Sequence, residues 1–284
     1  MTRPPAILRF APSPNGRLHL GHAFSALLNV RFAEHLGGVC RLRIEDIDPV
    51  RSKPHLTEAI LADLTWLGLD YPRPIRHQSR HMDEYRSALA RLVALGLAYP
   101  CFCSRADIRS RATAFDPDGA PLYPGTCRHR DPREAAARRE RGDPHTWRLS
   151  MAHALPRARE ERALGYIAFG DEGESWVPVD PAPWGDAVIA RRDVPTSYHL
   201  SVVHDDAVEG VTHVVRGADL EAATAIHVLL QRLLGLPTPR YHHHRLIQDA
   251  DGRKLAKSRG STSLAELRAA GIGAAEIRLW CREV

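Results

Sequence analysis

The stretch AILRFAPSPNGRLHLGHAFSALLNVRFAEHLGGVCRLRI, residues 6–44, decides the fold. Its first five residues form an apolar run that predicts a buried strand, and two prolines and a glycine then break it. Apolar residues recur at helical spacing from Leu20 to about Leu36, and Gly37-Gly38 ends that helix. Residues 39–44 predict a second strand. A strand, a helix and a strand in about 40 residues form a βαβ unit, which predicts a parallel sheet.

The turn that precedes this helix predicts an anion site. The helix begins near His19, and a helix N-terminus offers unpaired backbone N–H groups and a partial positive charge. His19 and His22 are three residues apart and therefore lie on one helix face. Their imidazoles could donate hydrogen bonds to phosphates as charge builds in a transition state. Gly21 leaves room for a base or a ribose against the backbone.

The composition is that of an ordinary globular protein, with 284 residues, of which 44% are hydrophobic and 26% charged. No apolar run approaches the roughly 20 residues that span a bilayer, and the N-terminus lacks the apolar core of a signal peptide. We therefore expect a cytoplasmic protein with no membrane partner. The net charge of +5 fits a polyanionic partner, but many proteins without one share it.

Cysteine usage predicts a metal site. Five cysteines, in a chain without a secretion signal, argue against a disulfide framework. Cys101, Cys103 and Cys127 lie close together in the sequence, and thiolates are the ligands that structural zinc prefers. Tetrahedral zinc needs a fourth ligand, for which Tyr123, His129 and a water are the nearby candidates.

Beyond residue 44 the composition and the predicted elements change along the chain. Proline, glycine and arginine become frequent from about 100 to 187, which predicts an inserted module, and the adjacent histidines 242–244 are interpreted as surface and loop residues. The predicted elements are helices at 54–67, 80–96, 132–141 and 218–235, strands or short buried segments at 187–190, 198–203 and 211–216, and one or two short helices from Ser263.

Two motifs resemble the ATP-binding signatures of class I aminoacyl-tRNA synthetases. His19-Leu-Gly21-His22 resembles their HIGH motif, and Lys254-Leu-Ala-Lys257-Ser resembles their KMSKS loop. The resemblance implies that His19, Gly21, His22 and Lys257 bind ATP with Mg²⁺. It also implies that the two histidines are catalytic together with Lys254 and Lys257, whose ammonium groups can stabilise the departing pyrophosphate.

The surroundings of the first motif resemble those of glutamyl-tRNA synthetases, with Asn15 in place of the usual threonine. A glutamate site needs arginines for the carboxylates and an acid for the ammonium. Many family members have Asn and Trp where this chain has Val202 and Leu220, so we expect a less polar or weaker glutamate pocket. The resemblance implies a glutamate site made of Arg9, Ala11, Ser13, Glu45, Tyr198 and Arg216.

The cysteine cluster is similar to that of a branch of glutamyl-type enzymes with the pattern Cys-x-Cys followed by Tyr-x-x-x-Cys. This similarity implies one structural zinc held by Cys101, Cys103, Tyr123 and Cys127, with His129 as the rival fourth ligand. The basic helix at 132–141 is either a contact for an RNA backbone or a solvated charged face.

The resemblance implies an α/β fold with a Rossmann-type parallel sheet, an inserted zinc-containing α+β module and a short C-terminal helical stub. The chain ends 26 residues after Ser258, so we expect no anticodon-binding domain. The expected parts are the first Rossmann half at 1–99, the inserted module at 100–187, the second half at 188–245, and the KMSKS-like loop and stub at 246–284.

A truncated paralogue family, the glutamyl-queuosine tRNA(Asp) synthetases, has this anatomy. Its members activate L-glutamate with ATP and attach it to queuosine in tRNA(Asp). The implied partners are therefore L-glutamate, ATP and tRNA(Asp) carrying queuosine, and we expect a monomer. Three alternatives stay open: a minimal synthetase that charges tRNA(Glu), a different HIGH-type adenylyltransferase, and a non-catalytic synthetase-derived tRNA-binding module.

The Lys254 loop generates the first prediction. We expect Lys257→Ala to lower glutamate-dependent ATP–pyrophosphate exchange by about tenfold or more, because a cation that stabilises a charged transition state is lost. Exchange close to that of the wild type would remove Lys257 from the mechanism.

Overall fold

The computed structural model describes residues 5–160, 162–247 and 262–283. The strands run β1 (Ile7–Phe10), β2 (Val39–Ile44), β3 (Arg76–His77), β4 (Ala98–Cys101), β5 (Thr146–Leu149), β6 (Gly165–Gly170), β7 (Gly173–Pro178), β8 (Val188–Ala190), β9 (His213–Gly217) and β10 (Arg240–His244). The helices run α1 (Leu20–His35), α2 (Pro54–Trp66), α3 (Met82–Ala94), α4 (Arg105–Arg111), α5 (Pro132–Glu140), α6 (Met151–Arg159), α7 (Tyr198–Val208), α8 (Ala223–Leu234), α9 (Leu264–Ala269) and α10 (Ala274–Glu283).

The predicted βαβ unit is confirmed, and a parallel sheet is built on it. Strands β1, β2 and β3 pair in parallel, and β9, β10 and β6 do the same in a second group that β7 extends antiparallel. Thr212 joins the two groups, because its backbone N–H donates to the carbonyl of Ile7 at 2.9 Å. Strands β1 and β9 are therefore neighbours at the middle of the sheet, where the strand order reverses.

Helices cover both faces of this sheet because its strands are apolar on both sides. Along β9, Val214 packs into one hydrophobic core and Val215 into the other. Side chains of α3, α6, α7 and α8 fill the first core, and those of α1, α2 and α10 fill the second. None of the helices in the described ranges is long and apolar enough to cross a lipid bilayer.

A second, antiparallel sheet is formed by β4, β5 and β8, in that order. Helices α4 and α5 lie between β4 and β5 in the sequence. The cysteine cluster begins at Cys101, the last residue of β4, and continues into the same interval. The hairpin β6–β7 also falls within 100–187, the range expected for the inserted module, yet β6 pairs with β10 of the parallel sheet. Residues from that range thus contribute to both sheets.

Two local predictions are wrong: the strand alternative for residues 198–203, which are mostly buried but helical, and the surface-loop interpretation of histidines 242–244. Residues 198–203 are the start of helix α7, since the Ser197 side chain accepts a hydrogen bond from the backbone of Leu200 and caps it. Short apolar runs do not distinguish a buried helix from a strand. Histidines 242–244 are likewise not in a surface loop. They form most of β10, which lies between β9 and β6, and His244 is buried.

A buried ionic cluster ties α7 to the parallel sheet. The side chain of Arg43 on β2 is fully buried, and its guanidinium lies 2.7 Å from Asp206 and 2.8 Å from Glu209, both on or directly after α7. Arg9 on β1 also donates to Asp206, at 3.1 Å. Burial lowers the pKa of Arg43, but the surrounding carboxylates, led by Asp206, outweigh it and raise that pKa well above its usual value. Arg43 is therefore always charged.

The cluster generates a stability prediction. Arg43→Leu leaves buried carboxylates without their counter-charge, so we expect it to lower the free energy of unfolding by about 3–5 kcal/mol, measured by denaturant titration. Arg51→Leu is the matched control, because Arg51 is 74% exposed beside Asp48, and it should cost far less. Equal losses in the two variants would contradict a structural role for the cluster.

Candidate functional site

A cavity of about 510 Å³ opens at the carboxyl edge of the parallel sheet. The ends of β1, β2, β9 and β10 all reach it, and it lies at the point where the strand order reverses. Open parallel sheets bind their ligands at this position, because the loops after two neighbouring strands diverge there and leave a crevice.

The cavity brings together most of the side chains that the sequence analysis selected. The predicted residues that line it are Arg9, Ala11, Ser13, His19, Gly21, His22, Glu45, Tyr198 and Arg216. Lys254 and Lys257 lie outside the described residues. Among the described residues on either side of them, Ile247 lines the cavity and Ser263 pairs with His19 in a β-bridge.

The two histidines of the first motif are oriented by the backbone of their own helix. The His19 Nδ1 accepts from the N–H of Gly21 at 3.1 Å, and the His22 Nδ1 accepts from the N–H of His19 at 3.2 Å. His19 is thus the residue that caps α1. When neutral, both rings then carry their proton on Nε2, the form that donates a hydrogen bond. The predicted anion site therefore has two donors fixed at a helix N-terminus.

Gly21 lies so close to the His19 ring that a side chain at this position would crowd it. A Cβ at this position would lie 3.1 Å from the His19 Cε1, so that ring would have to move. The glycine thus permits the capping geometry, and it also lines the cavity.

Glu45 is the buried acidic group of the cavity, whereas Asp219, which also lines it, is exposed. Glu45 follows β2 and is 8% exposed, with its Oε1 3.2 Å from the Arg43 guanidinium. Burial raises the pKa of Glu45, and the charges of Arg43 and Arg9 offset that effect only in part. Arg9 and Arg43 instead stabilise Asp206, whose pKa is lowered although burial opposes this. A bound cation next to Glu45 would add to the partial compensation that Arg43 and Arg9 give this carboxylate.

Arg216, at the end of β9, is held by residues that the sequence analysis missed. Its Nη1 lies 3.0 Å from the His227 Nδ1, and its Nη2 donates to the Thr224 Oγ1 at 2.7 Å. The His243 Nε2 lies 3.0 Å from the same hydroxyl. Thr224 and His227 are one turn apart on α8, and two polar residues at that spacing in an apolar helix were the available signal.

The histidines around Arg216 are neutral. Burial, with the charge of Arg216, lowers the pKa of His227 well below its usual value, and that of His243 to about 3. An arginine can only donate, so the His227 Nδ1 accepts from Arg216, and the proton of His227 lies on Nε2. That Nε2 is 3.1 Å from the His199 Nδ1. The chain of rings fixes the guanidinium without adding a second positive charge.

Leu220 and Val202, the two residues that depart from the glutamyl-tRNA synthetase pattern, lie in different parts of the structure. Leu220 lines the cavity beside Asp219 and Gly217, so the expectation of a less polar pocket applies there. Val202 is 2% exposed in the hydrophobic core and is not among the residues that line the cavity. Only the first substitution therefore changes the wall of the site.

The cysteine cluster has the geometry of a metal site. The sulfur atoms of Cys101, Cys103 and Cys127 all lie within 4.8 Å of one another. The Tyr123 hydroxyl is 3.8 Å from the Cys103 Sγ and accepts from the backbone N–H of Cys127 at 2.7 Å. His129 is exposed and is not part of the group. The three thiols could bind a metal ion, and the hydroxyl oxygen of Tyr123 lies beside them.

Comparison with known proteins agrees with this geometry. Residues 6–277 match the family model for tRNA synthetases class I (E and Q), catalytic domain. A glutamyl-Q tRNA(Asp) synthetase of Rhodobacter capsulatus is 48% identical, over 96% of this chain and 98% of that protein. One of Symbiobacterium thermophilum is 46% identical, over 93% of this chain and 81% of that protein.

A solved structure shares the fold. It is a glutamate tRNA ligase from Elizabethkingia meningosepticum in complex with its amino acid, with a TM-score of 0.71 and 28% identity. The match covers 90% of this chain and 52% of that one, so the chain spans about half the length of this structural neighbour. The chain therefore belongs to the class I tRNA synthetases for glutamate and glutamine and, within them, to the glutamyl-Q tRNA(Asp) synthetases.

Proposed function

We propose that this protein activates L-glutamate with ATP to glutamyl-adenylate and transfers the glutamyl group to queuosine at the wobble position of tRNA(Asp). The observation that carries the proposal is a single cavity that holds a buried acid, two buried arginines and two donor histidines at a helix N-terminus. The names of the relatives at 46–48% identity support the same acceptor.

The charges of the cavity suit glutamate. Glu45 takes the ammonium, which adds positive charge beside a carboxylate that Arg43 and Arg9 compensate only in part. Arg9 and Arg216 provide the positive charge for the carboxylates of the substrate, and Tyr198, the first residue of α7, contacts its side chain. An arginine binds a carboxylate through two parallel hydrogen bonds, which fixes its direction as well as its position.

The first step joins glutamate to the nucleotide. An oxygen of the α-carboxylate attacks the α-phosphorus of ATP, and the bond from that phosphorus to the bridging oxygen of pyrophosphate breaks. The Nε2 protons of His19 and His22, with Lys257, stabilise the charge that develops on the phosphates. Mg²⁺ that enters with ATP neutralises part of the phosphate charge.

The second step transfers the glutamyl group. A hydroxyl of the queuosine ring attacks the carbonyl carbon of the mixed anhydride, the bond to the phosphate oxygen breaks, and AMP leaves. The hydroxyl proton is lost to solvent or to the departing phosphate. The cavity holds the reacting groups in contact, and this positioning supplies much of the rate.

The experiment that tests the function is transfer of radiolabelled glutamate, with ATP, to three RNAs: tRNA(Asp) with queuosine, the same tRNA without it, and tRNA(Glu). We expect label on the first RNA alone. Label on tRNA(Glu) would indicate a minimal synthetase. No label on any of the three would overturn the proposal and favour the adenylyltransferase or the binding module.

We propose that the cysteine cluster binds one structural zinc ion through Cys101, Cys103, Cys127 and Tyr123. Three sulfurs within 4.8 Å of one another fit a tetrahedral thiolate site. The hydroxyl of Tyr123, 3.8 Å from the Cys103 Sγ, fits the fourth position better than the exposed His129. Zinc would tie the loop that carries Cys127 to the strand that ends at Cys101.

Metal analysis of the purified protein tests this assignment, and we expect about one zinc per chain. Cys127→Ala should lose the zinc and lower the melting temperature. Cys281→Ala is the control, because Cys281 is a buried free cysteine outside the cluster, and it should keep its zinc. A folded wild-type protein without zinc would contradict the site.

The role of Glu45 predicts a pH dependence. Glutamate binding needs the ionised carboxylate, and burial raises its pKa above 4.5. Affinity should therefore be full above the raised pKa and should fall as the pH is lowered through it. Glu45→Gln should raise the KM for glutamate in the exchange assay by about thirtyfold or more and remove this acidic limb, since a buried charge pair is lost. Unchanged kinetics would exclude Glu45 from binding the ammonium.

The exposed Glu58 on α2 provides a matched control for that experiment. Glu58→Gln removes the same charge from the chain and should leave both the KM and the pH profile as in the wild type. Titration of the substrate's own carboxylates affects every variant alike, so the difference between profiles reports on Glu45.

His227 is expected to act as a positioning residue for Arg216. His227→Leu removes the acceptor 3.0 Å from the guanidinium, so we expect the KM for glutamate to rise about tenfold with little change in kcat. His227→Asn retains an acceptor oxygen near the Nδ1 position and should recover part of the affinity. A wild-type KM in His227→Leu would show that Arg216 is held without it.

A further inference from the structure

A second cavity, of about 710 Å³, lies beside the candidate active site and has no role in the chemistry described above. It is enclosed by α3, the last turn of α5, β5 and the loop after β8. We call it the arginine-lined cavity, after the four arginines in its wall: Arg86, Arg139, Arg191 and Arg192. Two aspartates, Asp143 and Asp193, are the acids that line it, so its wall carries an excess of positive charge.

The arginines divide into two pairs. Arg191 and Arg192 are part of the framework, because the first binds Asp48 at 3.1 Å and the second donates to the carbonyl of Cys103 at 2.7 Å. Arg86 and Arg139 are exposed and approach the cavity from two different helices. The guanidinium of Arg86 pairs with Asp83, and both side chains are largely exposed, so solvent screens that pair and a ligand can reach the charge of Arg86 as well as that of Arg139.

An aromatic surface lies next to the exposed charge. Trp147 is half-buried in the wall of the cavity, and the guanidinium of Arg139 stacks on its ring at 4.8 Å from the centroid. The ring of His145 approaches the same indole edge-on. Unpaired nucleobases stack on aromatic rings and on guanidinium planes, and arginines bind the phosphates between them.

One short segment of the chain borders both the arginine-lined cavity and the active-site cavity. Residues 191–195 line the arginine-lined cavity, and Tyr198, three residues further on, lines the active-site cavity. The segment forms a turn, in which the backbone N–H of Arg191 donates to the carbonyls of Val194 and Thr196, both at 3.1 Å. Asp48, which binds Arg191, is three residues after Glu45.

We propose that the arginine-lined cavity binds an unpaired nucleotide of the substrate RNA loop, adjacent to the nucleotide that receives glutamate. The inference rests on the proposed function, which requires one nucleotide of a loop to enter the active-site cavity. A neighbour in the loop then has to lie close to the segment 191–198. The base of that neighbour stacks on Trp147 and Arg139, and Arg86 contacts a phosphate.

Helix α5 allows a matched pair of variants. Arg139→Ala removes a guanidinium from the cavity, and Arg133→Ala removes one from the same helix at an exposed position that does not line it. We would measure the affinity of each protein for a fluorescent anticodon stem-loop of tRNA(Asp) with queuosine, at one fixed salt concentration. We expect about a tenfold loss for Arg139→Ala, in the range of one stacked base, and a much smaller one for Arg133→Ala.

Trp147 supplies a direct readout of stacking. A base against the indole should quench its emission, and the quenched part of the signal should disappear in Trp147→Phe. That variant keeps an aromatic ring and should retain most of the affinity, whereas Trp147→Leu should lose about tenfold. Melting temperatures of both variants separate this effect from unfolding, since Trp147 also packs against the hydrophobic core.

The outcomes separate this inference from the proposed function. Wild-type affinity in Arg139→Ala, or an equal loss in Arg139→Ala and Arg133→Ala, would overturn the cavity as a nucleotide site. Either result is compatible with normal transfer of glutamate to tRNA(Asp). Absence of both ATP–pyrophosphate exchange and transfer in the wild type would instead overturn the proposed function.

Discussion

The buried guanidinium of Arg43 is the constraint on which the site depends. A fully buried charge is stable only with partners, and α7 provides them through Asp206 and Glu209. The pairing fixes the position of α7 on the sheet. Because Tyr198 begins α7 and Glu45 follows the strand that carries Arg43, the same contact also sets the distance between two walls of the active-site cavity.

The buried charges around the active-site cavity are compensated to different degrees. Asp206 has two arginines and a lowered pKa, whereas Glu45 has only a share of them and a raised one. Arg216, on the other side of the cavity, is surrounded by neutral histidines. The cavity therefore has at one end an acid whose charge Arg43 and Arg9 compensate only in part, and at the other an arginine held by neutral side chains. Glutamate carries the complementary charges in one molecule.

The cysteine cluster is physically connected to the arginine-lined cavity. Phe102, between two of the cysteines, has the guanidinium of Arg138 stacked on it, and Arg139 of the same helix stacks on Trp147. The carbonyl of Cys103 accepts from Arg192 on the loop that separates the two cavities. A metal bound by the cluster would thus stabilise one wall of the cavity, although it is not in contact with the active site.

Prediction from sequence succeeded where a short segment carries the whole signal. The βαβ unit at 6–44 follows from local periodicity and turn residues, and the cap that orients His19 and His22 is formed entirely within residues 19–22. Such features need no distant partner. The residues selected for the cavity came from motifs of the same local kind, and the family of the chain follows from them as well.

The tertiary structure decided the contacts between residues far apart in the chain. Nothing local to α8 indicates that His227 meets Arg216, and nothing local to α7 distinguishes its apolar start from a strand, because the partners arrive from other elements. The second cavity combines α3, α5 and β8, whose separation in sequence hides their proximity. The sequence by itself determined the sheet nucleus and the nature of the reactive groups. Only folding determined which buried charges are fully compensated and which only in part, since that depends on burial and on the full set of neighbours.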